Sequence, residues 1–153
     1  MKTEIEVKFV QIDIDDMRKR LESAGATLEQ PMRLMRRVLI QQDHHLAENS
    51  FLRIRDEGDK TTLTFKRRKS MELNQDITNT DELEVVVSDF DDTVSIFREA
   101  GWPPLSYQES KRETGTLDGA EIVIDEWPWL KPYVEIEATD GQTVKSAADK
   151  RGL

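Results

Sequence analysis

The sequence predicts an α+β fold, an eight-stranded antiparallel β-barrel with helices packed outside. Short segments in which apolar and charged residues alternate recur along the chain, as in strands with one buried face. The order strand, helix, three strands occurs twice, which indicates an internal repeat. The turn sequences Gly58-Asp59 and Asp118-Gly119 join neighbouring segments as hairpins. Closing such a sheet into a barrel removes its edge strands.

The first repeat begins with the strand TEIEVKF at residues 3–9. A helix follows within IDIDDMRKRLESAG, where Asp13 is a candidate N-cap, apolar residues recur at helical spacing and Gly25 ends the helix. Polar residues 70–80 predict an irregular, mobile loop at the end of this repeat. Three strands are expected between the helix and that loop, MRLMRRVLI (32–40), SFLRIRDE (50–57) and KTTLTFKRRK (60–69).

The second repeat starts with DELEVVV (81–87), which shares the Glu-x-Glu pattern of the first strand. Its helix lies within DFDDTVSIFREAG and ends at Gly101. We expect one domain over residues 1–153, and the abrupt end of the last helix at Leu153 leaves open a truncated C-terminus. The remaining elements are strands at about 105–116, 120–126 and 132–139 and a helix at about 143–151.

Composition and charge argue against several partners and sites. Acidic residues number 31 against 22 basic ones, so the molecule should repel duplex nucleic acid and anionic membrane surfaces. The absence of cysteine excludes disulfides and thiolate metal sites and is compatible with a reducing cytosol. No apolar run has the character of a signal peptide or the length of a membrane span. We therefore expect a cytoplasmic protein; its oligomeric state is left open, a homodimer being one option.

Charged residues occupy one face of most predicted strands, while apolar residues such as Ile5 and Val7 fill the other. Each charged pair alone could be an ordinary solvated face, but surface strands would rarely place such pairs on one side in five segments. If the apolar face packs against the outer helices, the charges share one lumen: Glu4, Glu6, Lys8, Arg53, Arg55, Lys66, Arg68, Glu82, Glu84, Asp125, Glu135 and Glu137. Mg²⁺ prefers carboxylates and phosphate oxygens, and Arg and Lys neutralise phosphate. The lining therefore predicts a triphosphate bound with divalent ions.

Five segments, in the same order, resemble the CYTH family, also called triphosphate tunnel metalloenzymes. They are Glu-x-Glu-x-Lys at 4–8, LRIR at 52–55, LTFKRR at 63–68, ELEV at 82–85 and IVIDEWPWLKPYVEIE at 122–137. That family has an eight-stranded antiparallel tunnel and includes inorganic triphosphatases, thiamine triphosphatases, class IV adenylyl cyclases and, more distantly, RNA triphosphatases. The resemblance implies a small-molecule triphosphate substrate and Mg²⁺ or Mn²⁺ as cofactor.

The resemblance also implies roles for individual residues. The candidate catalytic residues are Glu4, Glu6 and Lys8. Substrate phosphates are expected to contact Lys8, Arg53, Arg55, Lys66, Arg68 and Arg112. Metal ions are expected at Glu4, Glu6, Glu135 and Glu137, with Glu82, Glu84 and Asp125 completing the acidic lining. Two positions depart from the family pattern or stay ambiguous: Ser110 stands where a Lys is common, and either Arg36 or Arg37 could face the lumen.

Three functions fit these features. Metal-dependent hydrolysis of a small triphosphate is favoured, with inorganic tripolyphosphate as first substrate, because the chain has no long insertion that could form a base pocket. A class IV-type adenylyl cyclase would instead make cyclic AMP from ATP. A phosphate-binding module without catalysis is the third, and only Ser110 points to it.

Two other pairs of residues have side chains that could belong to a metal site or a nucleobase platform. His44 and His45 are expected in a solvated loop rather than at a metal. Trp127 and Trp129 are expected in a loop packed over the barrel end rather than in a nucleobase platform.

Overall fold

The computed structural model describes residues 1–71 and 77–150. Eight antiparallel strands close into a ring in the order β1-β5-β4-β3-β2-β6-β7-β8, and β8 pairs back to β1. Each strand therefore has two neighbours. The strands are Lys2–Phe9 (β1), Thr27–Ile40 (β2), Ser50–Asp56 (β3), Thr61–Met71 (β4), Ile77–Val87 (β5), Ser106–Leu117 (β6), Ala120–Glu126 (β7) and Tyr133–Ala138 (β8). The predicted antiparallel barrel with outer helices is confirmed.

The helices begin and end where the capping residues indicate. They span Ile14–Ser23 (α1), Asp43–Ala47 (α2), Phe90–Glu99 (α3) and Gly141–Lys150 (α4). The Asp13 side chain accepts a hydrogen bond from the Asp16 backbone N–H, which caps α1. Gly25 follows α1 with φ of +89°, a left-handed conformation that glycine adopts readily. The repeat of strand, helix and three strands is thus present, with α2 and α4 added to it.

Several boundaries differ from the sequence prediction. β2 starts at Thr27 rather than residue 32, and its pairing with β6 shifts register on either side of Gln30, a bulge that tolerates Pro31 in a strand. The predicted loop 70–80 is partly wrong, because β4 continues to Met71 and β5 resumes at Ile77; residues 72–76 lie outside the described part of the chain. The other predicted strands agree to within about two residues.

The short helix α2 escaped prediction because a single turn has no apolar periodicity. The expected solvated loop is wrong for His45, which is buried. The Gln42 backbone N–H donates to His45 Nδ1 at 3.0 Å, and the His45 ring packs edge-on against Trp102. Burial and the neighbouring His44 lower the His45 pKa. The His45 side chain therefore caps its own helix and packs α2 against the segment that follows α3.

Two apolar clusters lie between the barrel and its helices. One joins α1 and α4 to the outer faces of β1, β7 and β8, through residues such as Met17 and Ile136. The other joins α3 to β2 and β3, through residues such as Phe90 and Ile54. The expected apolar-outward arrangement therefore holds for these strands.

Among the described residues, no helix is long and apolar enough to cross a lipid bilayer.

The outer face of β5 departs from that arrangement. Leu83 and Val85 point outward as expected, but they are 51% and 57% exposed. The expectation that outer helices cover these two residues is wrong, because the helices sit over other strands of the ring.

Candidate active site

Strand register decides which side chains share the lumen, because directly paired residues of antiparallel strands point to the same face. Arg55 pairs with Arg37, so Arg37 faces the lumen. Arg36 points outward, where its Nε donates to Asp56 at 3.0 Å. On β6, Arg112 pairs with Asp125 of β7 inside the barrel. The open choice between the two arginines of β2 is thereby resolved.

The lumen encloses a cavity of about 410 Å³. The structure brings every candidate site residue of the sequence analysis to its wall: Glu4, Glu6, Lys8, Arg53, Arg55, Lys66, Arg68, Glu82, Glu84, Arg112, Asp125, Glu135 and Glu137. Arg37, one of the two arginines left open by the sequence, also lines the lumen, and sequence reasoning missed four further charged lining residues, Lys2, Glu57, Lys60 and Glu121. Period-two alternation could have found Glu57, two residues beyond Arg55, and Glu121, four before Asp125.

Three carboxylates from β1 and β8 form the acidic wall. Oxygen atoms of Glu4, Glu6 and Glu137 all lie within 4.8 Å of one another. Burial and the nearby carboxylates of Glu4 and Glu121 raise the pKa of Glu137 to about 9. Such crowded like charges favour protonation unless a cation balances them. An all-oxygen donor set of this kind suits Mg²⁺ or Mn²⁺, so these residues fit a divalent ion.

Lys66 lies between Glu4 of the acidic wall and Glu82. Its Nζ is 3.0 Å from Glu4 Oε2 and 3.6 Å from Glu82 Oε2. Burial opposes ionisation of Glu4, but the charge of Lys66 and hydrogen bonds with Glu82, Lys66 and Glu137 together lower the pKa of Glu4 to about 2. Burial and the hydrogen bond with Glu4 raise the pKa of Glu82 to about 7. Glu82 Oε2 is also buried and accepts no hydrogen bond from the described residues.

Arginines of β3 form the basic wall. Arg53 is buried, and the carboxylate it reaches, Glu84 Oε1, is 4.0 Å from its guanidinium. Burial and the positive charges of Arg55, Arg112 and Arg37 lower the pKa of Arg53 to about 9. Within the described chain, the buried Nε atoms of Arg53 and Arg55 donate to no hydrogen-bond partner. A buried donor without a partner is costly, and an anion in the lumen could supply the acceptors that these two Nε atoms lack among the described residues.

Arg112 and Asp125 bind each other. The Arg112 Nε and Nη2 donate to the two Asp125 oxygens at 2.7 and 2.8 Å, a bidentate pair with Asp125 buried. Burial would lower the pKa of Arg112, but Asp125 raises it above its ordinary value. The two residues, predicted to contact substrate and metal respectively, therefore each have a strong partner in this structure.

Two aromatic side chains, Trp127 and Tyr133, also line the lumen. Trp127 Nε1–H donates to Tyr133 Oη at 2.6 Å, and the Arg37 guanidinium lies 4.6 Å from the Trp127 ring centroid. Trp127 is thus packed over the barrel end, as expected. The same expectation is wrong for Trp129, which is 94% exposed.

In the presence of a chelator, we expect the folded state to lose stability as pH rises from about 5 to about 9. Because the pKa of Glu137 is raised to about 9, the folded state retains a proton that the unfolded chain releases near pH 4.5. The stability that Glu137 contributes by keeping this proton is complete below the pKa of the unfolded chain, and it disappears as pH rises through the pKa of the folded state. Glu137→Gln stays neutral, so urea melts of this variant should depend less on pH.

Glu109→Gln is the matched control, because Glu109 is exposed on the outer face of β6. This variant should keep the pH dependence of the wild type. A wild-type stability that increases over the same pH range would contradict the assignment.

Comparisons with known proteins agree with this geometry. A protein-family model described as the CYTH domain matches residues 2–152. A conserved hypothetical protein from Pyrococcus furiosus has a similar structure, at 22% identity over 98% of this chain and 91% of that one, with a TM-score of 0.81. A "putative adenylate cyclase" from Vibrio parahaemolyticus has a TM-score of 0.80 at 10% identity, over 99% and 90% of the two chains.

A third similar structure comes from Hippeastrum and is described as a putative adenylyl cyclase with a dominant triphosphatase activity. It has a TM-score of 0.66 at 17% identity, over 98% of this chain and 88% of that one. At these identities the likeness shows the fold. Among curated protein sequences, none matches this chain significantly.

Proposed function

The chain belongs to the CYTH domain family, and from that premise we propose that it is a metal-dependent hydrolase of a small triphosphate, with inorganic tripolyphosphate as preferred substrate. One observation carries the proposal: a single cavity joins three carboxylates spaced for a divalent ion to two arginines whose buried Nε atoms have no hydrogen-bond partner among residues 1–71 and 77–150. A bound triphosphate would supply hydrogen-bond acceptors to the arginines, and its metal ion would supply positive charge to the carboxylates. The Hippeastrum protein, described as having triphosphatase activity, adds support from the same fold.

The basic wall binds and orients the phosphate chain. The Nε atoms of Arg53 and Arg55 are donors that no other described residue uses. Arg37 pairs with Arg55 across the strands, and its guanidinium contacts the Trp127 ring. Charge-assisted hydrogen bonds from guanidinium groups to phosphate are short and strong. Donors fixed in place before the substrate arrives also stabilise charge that develops in the transition state.

The acidic wall would hold the divalent ion. Glu4, Glu6 and Glu137 are the residues that would bind it. The bound ion would supply positive charge that offsets both these carboxylates and the phosphate oxygens. Because the three glutamates crowd together without such charge, substrate and ion are expected to bind cooperatively.

Glu82 is suited to accept a proton during hydrolysis. A water oxygen forms the new bond to the terminal phosphorus, the bond to the bridging oxygen breaks, and pyrophosphate leaves. The proton of that water passes to Glu82 Oε2, which is buried and has no hydrogen-bond donor among the described residues. A pKa near 7 suits a general base at neutral pH.

A second candidate function, adenylyl cyclisation, is favoured by one feature of the lumen. Leu39 and Phe51 form an apolar stretch of a wall that is otherwise mostly polar, next to Arg53 and Lys66 in the strand register. Such a surface could seat a base or another organic group. In that reaction the ribose 3′-hydroxyl oxygen attacks the α-phosphorus of ATP, and pyrophosphate leaves.

We expect phosphate release from tripolyphosphate in the presence of Mg²⁺ or Mn²⁺, and no turnover in excess EDTA. The measurement compares phosphate from tripolyphosphate with phosphate, pyrophosphate and cyclic AMP from ATP. Cyclic AMP that accumulates faster than phosphate is released from tripolyphosphate would favour the cyclase. Binding of tripolyphosphate without turnover of either compound would favour a non-catalytic module. Full activity in EDTA would contradict a metal role for the three glutamates.

A further inference from the structure

Tyr133 is a buried residue of the lumen to which the proposed mechanism gives no role. It is the first residue of β8, it lines the cavity, and it is 8% exposed. Side chains of a strand alternate, so the lumen face of β8 carries Tyr133, Glu135 and Glu137 in one row. When the two carboxylates are ionised, the tyrosine hydroxyl is the side-chain group of that row that can donate a hydrogen bond.

A hydrogen bond with Trp127 sets the direction of the Tyr133 hydroxyl. An indole N–H can only donate, and Trp127 Nε1–H donates to Tyr133 Oη at 2.6 Å. A hydroxyl cannot direct its own hydrogen at a group that donates to it. The hydrogen of Tyr133 therefore points away from Trp127.

That hydrogen has no acceptor in the part of the chain that the structure describes. There, Tyr133 Oη takes part in the bond from Trp127 and donates to no other oxygen. The carboxylates next to Tyr133 already have partners. Both oxygens of Asp125, which pairs with Tyr133 in the strand register, accept from Arg112. The second carboxylate, Glu135, lies 3.5 Å from Lys8 Nζ.

Two cations of the lumen lie against the same aromatic pair. Lys8 Nζ is 4.6 Å from the centroid of the Tyr133 ring, and the Arg37 guanidinium is 4.6 Å from that of the Trp127 ring. Cations at this distance from an aromatic face are attracted to it. The aromatic pair thus links one neutral donor to positive groups of β1 and β2, two strands that are not neighbours in the ring. Such a set of donors suits the oxygens of a phosphate chain.

We propose that the Tyr133 hydroxyl is a further substrate-binding group that donates to a non-bridging phosphate oxygen, and that Trp127 is the residue that positions it. The inference rests on the proposed function, since it adds one contact to the same triphosphate. A hydroxyl that accepts one hydrogen bond becomes a stronger donor in the next, so the bond from Trp127 strengthens the bond to phosphate. A phenol has an ordinary pKa of about 10, so it is protonated at neutral pH and can donate.

The charges of β8 explain why a hydroxyl suits this position better than another cation. A cation beside the carboxylates of this strand is attracted to them, as the pairing of Lys8 with Glu135 shows. The Tyr133 hydroxyl carries no charge, so this attraction does not divert it from the substrate.

Binding of a tripolyphosphate analogue tests the proposal without turnover. In this analogue, methylene groups replace the bridging oxygens, so it keeps the non-bridging oxygens and resists hydrolysis. In calorimetric titrations with Mg²⁺, Tyr133→Phe should raise the dissociation constant roughly tenfold or more, because a hydrogen bond to a charged group is lost. Tyr107→Phe is the matched control, since Tyr107 is the other tyrosine of the chain and donates to Glu109 on the outer face of β6. It should bind the analogue like the wild type.

A double-mutant cycle tests whether Trp127 acts through Tyr133. Trp127→Phe keeps an aromatic ring beside Arg37 but removes the N–H that orients the hydroxyl. It should weaken binding in the wild-type chain and have little further effect in a chain that already carries Tyr133→Phe, because the two residues act as one unit. A merely structural role of Trp127 would weaken binding by the same factor in both chains.

Thermal melts of each variant show whether it is folded. Wild-type affinity in Tyr133→Phe would overturn the binding role, and equal effects of Trp127→Phe in both chains would overturn the positioning role. If Tyr133→Phe does not fold, unchanged affinity in Trp127→Phe, which keeps the hydroxyl, would overturn the proposal instead.

The same titrations separate this inference from the proposed function. A wild type that binds the analogue but does not hydrolyse tripolyphosphate contradicts the hydrolase alone. An active hydrolase whose Tyr133→Phe variant binds the analogue normally contradicts the role of Tyr133 alone. A wild type that does not bind the analogue contradicts both.

Discussion

Replacing Glu6 with glutamine is expected to lower tripolyphosphate turnover by about 100-fold or more, with little change in the melting temperature. Glu6 belongs to the carboxylate trio that would hold the divalent ion. Even residues that only support metal ligands typically cost about 10–100-fold when mutated, so losing a ligand should cost more. Glutamine has nearly the same shape, and removing the charge relieves repulsion that Glu6 exerts on Glu135.

Initial rates across a Mg²⁺ titration, with a thermal melt of each protein, measure this effect. The variant should need more Mg²⁺ for its residual activity than the wild type does. Glu109→Gln again serves as the control, because its side chain lies outside the barrel and should not affect turnover. If the melt of Glu6→Gln collapses and residual activity follows the folded fraction, Glu6 has a structural role instead.

Replacing Arg53 with methionine should change activity and stability in opposite directions. Loss of a charge-assisted contact to phosphate, worth about 1.5–3 kcal/mol, predicts a decrease in kcat/KM of roughly 10–100-fold. The same change removes a buried guanidinium that sits among other cations and whose pKa is lowered to about 9. Replacing buried charge with an apolar side chain of similar volume is often neutral or stabilising by about 1–4 kcal/mol. We therefore expect a higher melting temperature together with weaker catalysis.

Arg36→Met is the matched control for this second prediction. Arg36 lies on the outer side of the same barrel and pairs with the partly exposed Asp56. Its loss should leave kcat/KM unchanged and lower stability by up to about 1 kcal/mol, the usual range for exposed ion pairs. An Arg53→Met variant that keeps wild-type kcat/KM would show that the buried guanidinium does not contact the substrate.

The sequence by itself determined the barrel and most of the charged side chains that line its lumen. Side chains of a strand alternate with period two, so a Glu-x-Glu or Arg-x-Arg pattern assigns a face without knowledge of any neighbouring strand. The ends of α1 could also be predicted from the sequence, because the Asp13 side chain caps a backbone N–H three residues away and Gly25 adopts the left-handed conformation that ends a helix. These are local properties, and they were enough to predict that the candidate residues face the lumen.

Only the tertiary structure decided which of these residues meet. Register between β2 and β3 selected Arg37 over Arg36, and register between β6 and β7 joined Arg112 to Asp125. The exposure of Val85 depended on where distant helices pack, which its own segment does not encode. Pairing and coverage are set by contacts between elements far apart in the chain, and a period-two pattern reads the same whether its outer face is covered by a helix or left bare.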